Sequence, residues 1–192
     1  MSQKQITVVI VGLGFGKEFI PIYQAHPNIK AVGICTRNPK TIDELATKFN
    51  LDRNLCFTNF EDVPKRDDVD AIHIVTPVPD HARMTLASLN ANKHTACTIP
   101  MAMTKEDCAA IVDAKKKSGK VYMMMETALY TREFLYGLNL AETGQLGKIQ
   151  MVRGSHIQDM SMPGWDEYWK GFPPMLNGTH AISPLLRINN TK

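Results

Sequence analysis

The feature that most constrains the fold is the run of residues 8–19, VVIVGLGFGKEF, in which an apolar segment meets a glycine-rich turn. A near-continuous apolar run of this length predicts a strand buried on both faces of a parallel sheet. Gly12 permits a tight turn after that strand, and Gly14 lets backbone N–H groups approach an anion at the start of a helix. Together these features predict a strand–turn–helix unit that cradles a phosphate group.

The third glycine of the turn, Gly16, stands one place earlier than in the spacing G-x-G-x-x-G, in which Lys17 occupies the last position. In that pattern the last glycine allows the helix to pack closely on the strand. The sequence therefore predicts a variant cradle, with Gly12, Gly14, Phe15 and Gly16 beside a dinucleotide and the helix packed in some other way. A glycine-rich turn without a ligand is the alternative.

The first two-thirds of the chain alternate short β-type runs with helical patterns, which is typical of a parallel, doubly wound α/β sheet of the Rossmann type. We expect this dinucleotide-binding domain to cover residues 1–125. After the opening strand, further strands are predicted at 31–35, 55–58, 71–75, 94–98 and 121–125. Helices are predicted from the turn to about residue 25, at 39–49 with Asn38 as a cap, at 79–90, and between Thr104 and Gly119.

The pattern changes after residue 126. A helix is predicted at 133–143, an alternating run at 149–157 resembles an antiparallel strand, and a final apolar helix covers 181–188. A single strand needs partners, so residues 126–192 are expected to begin an α/β domain with an antiparallel sheet that this chain leaves incomplete. Exposed apolar surface at 182–188 would then favour a homo-oligomer.

Composition excludes several classes of protein. With 22 basic and 19 acidic residues the net charge is +3, so no nucleic-acid partner is expected. No apolar stretch approaches the roughly 20 residues of a membrane span. The four cysteines form no CxxC pair and have no metal-ligand spacing, so no metal site is expected, and reduced thiols favour a cytoplasmic protein.

Two further segments follow predicted strands at the edge of the sheet where ligands bind in open α/β folds. After the second strand, where NAD-binding proteins commonly carry an acidic residue, this chain has Thr36 and Arg37. A hydroxyl and a guanidinium suit a 2′-phosphate, which favours NADP over NAD, although a solvated arginine is the alternative. After the fourth strand come Thr76, Pro77 and, early in the next helix, His81, as candidate walls of the cofactor site.

The ordered set of motifs resembles the glucose-fructose oxidoreductase/inositol dehydrogenase family (Gfo/Idh/MocA). The resemblance rests on the opening glycines, on Thr76-Pro77 and His81, and on the segments KHTACTIPMA, GQLGKIQMVRGSH and NGTHAISPLL, and it covers almost the whole chain. It implies an NAD(P)-dependent oxidoreductase that transfers hydride to or from a sugar, a cyclitol or a related polyol. It also implies that Pro100 contacts the cofactor.

Two positions depart from the family pattern. Where the family carries the lysine of an E-K-P motif, this chain has Ile99, and where the aspartate of D-x-x-x-H is expected it has Leu176. His180 fills the histidine position and is the candidate general base, since histidine exchanges protons near neutral pH. A structural histidine at the start of the last helix is the alternative.

The remaining candidates lie after the last Rossmann strand. Glu126 is expected near the nicotinamide end of the cofactor, whereas Tyr130, His156 and Trp165 are candidate contacts to a sugar-like substrate. The missing lysine and aspartate also favour a second hypothesis, a non-catalytic protein that senses a dinucleotide or a sugar. A third is an NAD-dependent glycoside hydrolase of the same fold, in which transient oxidation labilises the glycosidic bond.

Overall fold

The computed structural model describes residues 5–159, 161 and 171–189. Its centre is a sheet of six parallel strands in the order β3-β2-β1-β4-β5-β6. The strands are β1 (Ile6–Val11), β2 (Ile29–Cys35), β3 (Cys56–Phe57), β4 (Ala71–Ile74), β5 (His94–Thr98) and β6 (Tyr122–Met125). This order is that of a Rossmann fold, and it confirms the predicted doubly wound sheet.

Helices connect the strands and flank the sheet. They are α1 (Leu13–Gly16), α2 (Ile20–Ala25), α3 (Pro39–Lys48), α4 (His81–Asn90) and α5 (Lys105–Ser118). Two more helices, α6 (Arg132–Glu142) and α7 (Thr179–Asn189), come after the last strand in the sequence. The order of the strands reverses between β1 and β4, and the crevice at the carboxyl ends of these two strands is where this class of sheet binds ligands.

Buried clusters on both faces of the sheet explain why its central strands are apolar on both sides. In β1, Val9 and Val11 belong to one buried cluster together with Ile72 and Ile74 of β4, whereas Ile10 belongs to the cluster on the opposite face. Successive side chains of a strand point to opposite faces, so a sheet covered by helices on both sides favours apolar residues at successive positions of its central strands.

The helix ends follow their sequence signals. Asn38 caps α3 by accepting a hydrogen bond from the backbone N–H of Lys40 at 3.0 Å, and Thr104 caps α5 by accepting from that of Asp107 at 3.1 Å. The predicted first helix is interrupted instead, because a 3₁₀ turn at Lys17–Phe19 separates α1 from α2. Pro21 lies in the first turn of α2, where its missing N–H is tolerated.

The chain divides into two compact units, Met1–Met125 and Glu126–Lys192. The second unit contains a 3₁₀ turn at Thr127–Tyr130, then α6, another 3₁₀ turn at Pro174–Asn177, and α7. The ion pair between Arg187 and Glu142, at 2.8 Å, joins α7 to α6.

The strand predicted at 149–157 is not formed, and no strand occurs among the described residues of the second unit. Alternating polarity favours a strand only when another strand completes its hydrogen bonds, and no described residue pairs with this segment. Among the described residues, none of the helices has the length and apolar character needed to cross a membrane.

A histidine side chain is buried in the middle of the sheet. His73 of β4 is fully buried, its Nδ1 lies 3.2 Å from the Tyr23 hydroxyl, and its Nε2 has no hydrogen-bond partner in the described part of the chain. Burial lowers the pKa of His73 to about 4. The folded protein therefore holds this imidazole neutral at pH values where the unfolded chain protonates it.

We expect this difference to destabilise the fold in mild acid. Between pH 7 and pH 5 the unfolded state takes up a proton that His73 does not, and the free energy of unfolding falls by about 2 kcal/mol from this group. Urea unfolding at the two pH values should show a smaller fall in the free energy of unfolding for His73→Leu than for the wild type. The control His26→Gln, at an exposed position, should show the same fall as the wild type. An equal fall in the wild type and in His73→Leu would contradict the effect assigned to His73.

Candidate functional site

A cavity of about 270 Å³ lies within the first unit at the carboxyl ends of β1, β2, β3 and β4. Five of the predicted cofactor residues line it: Gly12, Thr36, Arg37, Thr76 and Pro77. They come from the ends of three different strands, and the parallel sheet brings these ends to one edge. The remaining lining residues are Val11, Cys35, Thr58, Asn59, Phe60, Glu61, Asp80, Arg83 and Met84.

The turn after β1 can only be made by glycine. Gly12 has a φ of +88°, a backbone conformation that L side chains rarely adopt. A Cβ atom at this position would also lie 2.8 Å from the carbonyl carbon of Val75, and closer still to its oxygen. Gly12 thus allows the turn to pass directly against the end of β4.

The other two glycines of the turn have different surroundings. A Cβ atom on Gly14 would meet no atom within 4 Å, so this backbone faces open space that a ligand can enter. A Cβ atom on Gly16 would lie 3.0 Å from Cγ2 of Ile10 and 3.4 Å from Cβ of Val75. Gly16 therefore provides the close helix–strand packing itself, and the expectation that packing is achieved in another way is wrong. The short α1 turns this position towards the sheet one residue early.

Phe15 lies between these glycines with its ring 60% exposed and edge-on to Phe19 at 5.4 Å between ring centres. It does not line the cavity. Gly14 and Gly16 do not line it either, so Gly12 is the residue of the glycine-rich segment that borders the cavity, whereas Gly14 presents an open stretch of backbone.

His81 was expected on the cavity wall, but the structure places it behind that wall. It is only 1% exposed, its Nε2 lies 2.9 Å from the carbonyl oxygen of Thr76, and its Nδ1 lies 2.7 Å from that of Pro100. Its role is to hold the segment after β4 against the segment after β5. Pro100 is itself buried and outside the cavity. Neither residue therefore lies on the cavity wall, where the prediction placed their contacts to the cofactor.

Three charged residues of the cavity were missed from the sequence. Arg83, near the start of α4, forms ion pairs with Glu61 after β3 and, at 3.4 Å, with Asp80. Its guanidinium also lies over the Phe60 ring, 5.6 Å from the ring centre. Their position in the sequence could have indicated them: Glu61, Asp80 and Arg83 all follow strands whose carboxyl ends lie at the same edge of the sheet as the glycine turn.

The second unit contains a separate polar site. Glu126 begins the 3₁₀ turn that follows β6 along the chain, and its Oε1 accepts a hydrogen bond from the backbone N–H of Ala128 at 2.9 Å. The same oxygen lies 2.6 Å from Nδ1 of His180, so the imidazole N–H donates to the carboxylate. Because α7 packs against this turn, two residues 54 positions apart in the sequence form one pair.

The pair is asymmetric in its exposure. The side chain of Glu126 is 2% exposed and that of His180 is 23% exposed. Glu126 Oε2 is buried and has no hydrogen-bond partner in the described part of the chain. A hydrogen bond from Nδ1 fixes the tautomer of a neutral imidazole, and it leaves Nε2 as the nitrogen that can accept a proton. This arrangement can perform general acid–base chemistry.

The structure also places the other candidates of this region. His156 lies beside His180, with 4.7 Å between the ring centres, and its Nε2 lies 3.1 Å from the side-chain oxygen of Gln158. Tyr130 ends the 3₁₀ turn with its side chain 64% exposed. Trp165 lies outside the described residues, so its predicted contact to a substrate has no structural counterpart here.

A parallel sheet in this order, with an open glycine turn and a cavity at its carboxyl edge, defines a dinucleotide-binding Rossmann domain. Residues 6–126 match the Gfo/Idh/MocA family model, described as an oxidoreductase family with an NAD-binding Rossmann fold. The match covers more than half of the chain, and the chain belongs to this family. The resemblance inferred from the motifs is confirmed.

Similar proteins include glycosyl hydrolase family 109 protein 1 of Bacteroides fragilis, which is 27% identical over 183 residues. The alignment covers 91% of this chain and 39% of that protein, so the chain spans about two-fifths of its relative. An NAD-binding protein from Listeria innocua matches with a TM-score of 0.76 at 27% identity, over 95% of this chain and 54% of that one.

A scyllo-inositol dehydrogenase from Lactobacillus casei, solved with NAD(H) and scyllo-inositol, also shares the fold. It matches with a TM-score of 0.69 at 23% identity, over 76% of this chain and 43% of that one.

Alanine variants of Gly14 and Gly16 should separate an effect on cofactor binding from an effect on stability, because the surroundings of the two glycines differ. Gly14→Ala adds a methyl group to open space in a helical segment, so we expect unchanged stability but at least about tenfold weaker NADH binding. Gly16→Ala presses a methyl group against Ile10, so we expect a loss of about 1–3 kcal/mol in the free energy of unfolding. Urea unfolding and fluorescence titration with NADH measure the two effects. Weaker stability in Gly14→Ala, with binding intact, would contradict this division of roles.

Proposed function

We propose that the protein is an NAD(P)-dependent oxidoreductase that acts on a hydroxyl of a sugar, a cyclitol or a related polyol, or on the corresponding keto compound. The observation that carries this proposal is the hydrogen bond between Glu126 and His180, which supplies an oriented proton acceptor in a member of an oxidoreductase family. The sugar-like substrate is supported by the inositol dehydrogenase of the same fold.

The cavity at the carboxyl edge of the sheet fits a dinucleotide. Gly12, Thr36, Arg37 and Thr76 line it, and the backbone of the turn is open at Gly14. Bound NAD(P) supplies the hydride chemistry, which amino-acid side chains cannot perform. The preference for NADP inferred from Thr36 and Arg37 is not supported by the comparisons, since the family is described as NAD-binding. We propose that Arg37 contributes to NADP binding without excluding NAD.

His180 would handle the proton that accompanies hydride transfer. When an alcohol is oxidised, its hydroxyl proton must leave, and Nε2 of His180 is the nitrogen that can take it. The buried carboxylate of Glu126 holds the ring through Nδ1 and stabilises the imidazolium that results. In the family pattern an aspartate at the position of Leu176 would orient the histidine, and Glu126 supplies that carboxylate from a different segment.

A second candidate function is glycoside hydrolysis, favoured by the similarity to the Bacteroides fragilis glycosyl hydrolase. A hydrolase that oxidises its substrate transiently needs the same cofactor site and the same proton acceptor, so the two activities share these residues. The third hypothesis, a non-catalytic sensor, rested on Ile99 and Leu176. The pairing of Glu126 with His180 favours catalysis over that hypothesis, because proton transfer requires an oriented base of this kind.

The cellular location and assembly of the protein are also proposals. The four cysteines form no disulfide, which suits the reducing conditions of the cytoplasm. Several large apolar side chains of the second unit are exposed, among them Leu135, Tyr136 and Leu186, and these favour a homo-oligomer.

Product analysis separates the two enzymatic functions. The chain is incubated with NAD⁺ or NADP⁺ and either a panel of polyols or a panel of aryl glycosides. A polyol dehydrogenase gives an increase in absorbance from the reduced cofactor, in proportion to the keto product. A hydrolase instead releases the aryl alcohol with no net change in the cofactor. Binding of the cofactor without turnover in either panel would favour the sensor.

We expect His180→Asn to lower turnover by at least about 100-fold, because it removes the proton acceptor. Glu126→Gln should lower turnover by about tenfold or more, because the neutral amide cannot stabilise an imidazolium. Both variants should bind NADH as the wild type does. Steady-state kinetics and fluorescence titration measure these effects, with Glu142→Gln, at an exposed ion pair of the same unit, as the control. Turnover of His180→Asn within about threefold of the wild type would exclude His180 as the base.

A further inference from the structure

The cofactor cavity contains an acidic residue at a place that the sequence pattern did not indicate. NAD-binding sheets commonly carry this residue at the end of the second strand, where it accepts a hydrogen bond from the adenosine ribose. In this chain that position holds Thr36 and Arg37, but Glu61 lines the same cavity from the turn after β3. β3 is the neighbour of β2 in the sheet, so the two turns lie side by side.

The backbone around Glu61 is well fixed. Asn59 accepts a hydrogen bond from the N–H of Glu61 at 3.2 Å and caps the 3₁₀ turn at Phe60–Asp62. The Phe60 side chain is buried in the core next to it. The carboxylate of Glu61 therefore projects from an anchored turn towards the cavity.

Glu61 is tied to another element that lines the cavity, α4, by its ion pair with Arg83. β3 and β4 are separated in the sheet by β2 and β1, which corresponds to roughly 14 Å at the usual spacing of strands. The ion pair thus joins the turn after β3 to α4, and its two residues line the cavity together with Arg37 and Gly12. Both of its side chains are about half exposed, so it is weak and can rearrange when a ligand binds.

The charges of the cavity balance. Its charged lining residues are Arg37, Arg83, Glu61 and Asp80, and their formal charges sum to zero. Arg83 is neutralised by the two carboxylates, whereas Arg37 forms no ion pair with any described residue. A 2′-phosphate would bring a charge of about −2 into this space, and Arg37 is the one lining cation left to balance it.

We propose that Glu61 determines the choice between NAD and NADP. Its carboxylate takes the place of the acidic residue that β2 lacks: it faces the adenosine ribose, repels a 2′-phosphate and keeps Arg83 from binding that phosphate. Arg37 acts in the opposite direction, and the balance between the two residues sets the ratio of affinities. This inference rests on the proposed function, because it requires that the cavity hold a dinucleotide.

The test is the ratio of the dissociation constants for NADPH and NADH, measured by fluorescence titration of the full chain. Glu61→Gln removes one negative charge and releases Arg83, so we expect the ratio to fall by about fivefold or more in favour of NADPH. Arg37→Gln should raise the ratio. In the double variant E61Q/R83Q the gain for NADPH should be largely lost, since the released cation is absent.

The matched control is Asp62→Asn, which removes the same charge one residue away. Asp62 pairs with Lys65 and does not line the cavity, so its variant should leave the ratio within about twofold of the wild type. An unchanged ratio in Glu61→Gln, or equal shifts in Glu61→Gln and Asp62→Asn, would overturn the assignment of Glu61 while leaving the cofactor site intact. A wild-type chain that binds neither cofactor would overturn both this inference and the proposed function.

Discussion

The cofactor cavity depends on the contact between the glycine turn and Val75 at the end of β4. Because β4 lies next to β1, the N–H of Val75 donates to the carbonyl of Val11 at 2.7 Å, and its own carbonyl comes to lie against Gly12. The side chain of Val75 also approaches Gly16. Val75 thus imposes glycine at position 12, and Ile10 of β1 does so at position 16, for steric reasons independent of any ligand. Gly14 is not constrained in this way, since a Cβ atom there would meet no atom within 4 Å.

Much of the first unit followed from local patterns in the sequence. The apolar runs of β1 and β4, the caps Asn38 and Thr104 and the glycine after β1 act within a few residues, and each was assigned its correct structure. The strand predicted at 149–157 failed because strands depend on partners distant in the sequence. The same limit applies to the site: no local pattern indicates that Glu126 accepts a hydrogen bond from His180, or that Glu61 forms an ion pair with Arg83 of α4.

Histidine gives three examples of how surroundings decide the role of one residue type. His73 is enclosed by the sheet, and burial lowers its pKa to about 4, so it stays neutral and structural. Both ring nitrogens of His81 face backbone carbonyls, and this residue joins two segments of the chain. His180 donates a hydrogen bond from Nδ1 to a buried carboxylate and remains partly exposed. Of the three, only His180 is partly exposed and is held by a carboxylate, although all three residues look alike in the sequence.

Two acidic positions of the expected motifs are missing from this chain, and in each case a carboxylate from another segment lies in the corresponding surroundings. The end of β2 lacks an acidic residue, yet Glu61 lines the same cavity from the turn after β3. Leu176 replaces an aspartate, yet Glu126 contacts His180 directly. A hydrogen bond to an imidazole requires a carboxylate oxygen within about 3 Å of its nitrogen, whichever element provides it. The loss of a motif residue is therefore evidence against a function only when no other side chain occupies its place in the folded protein.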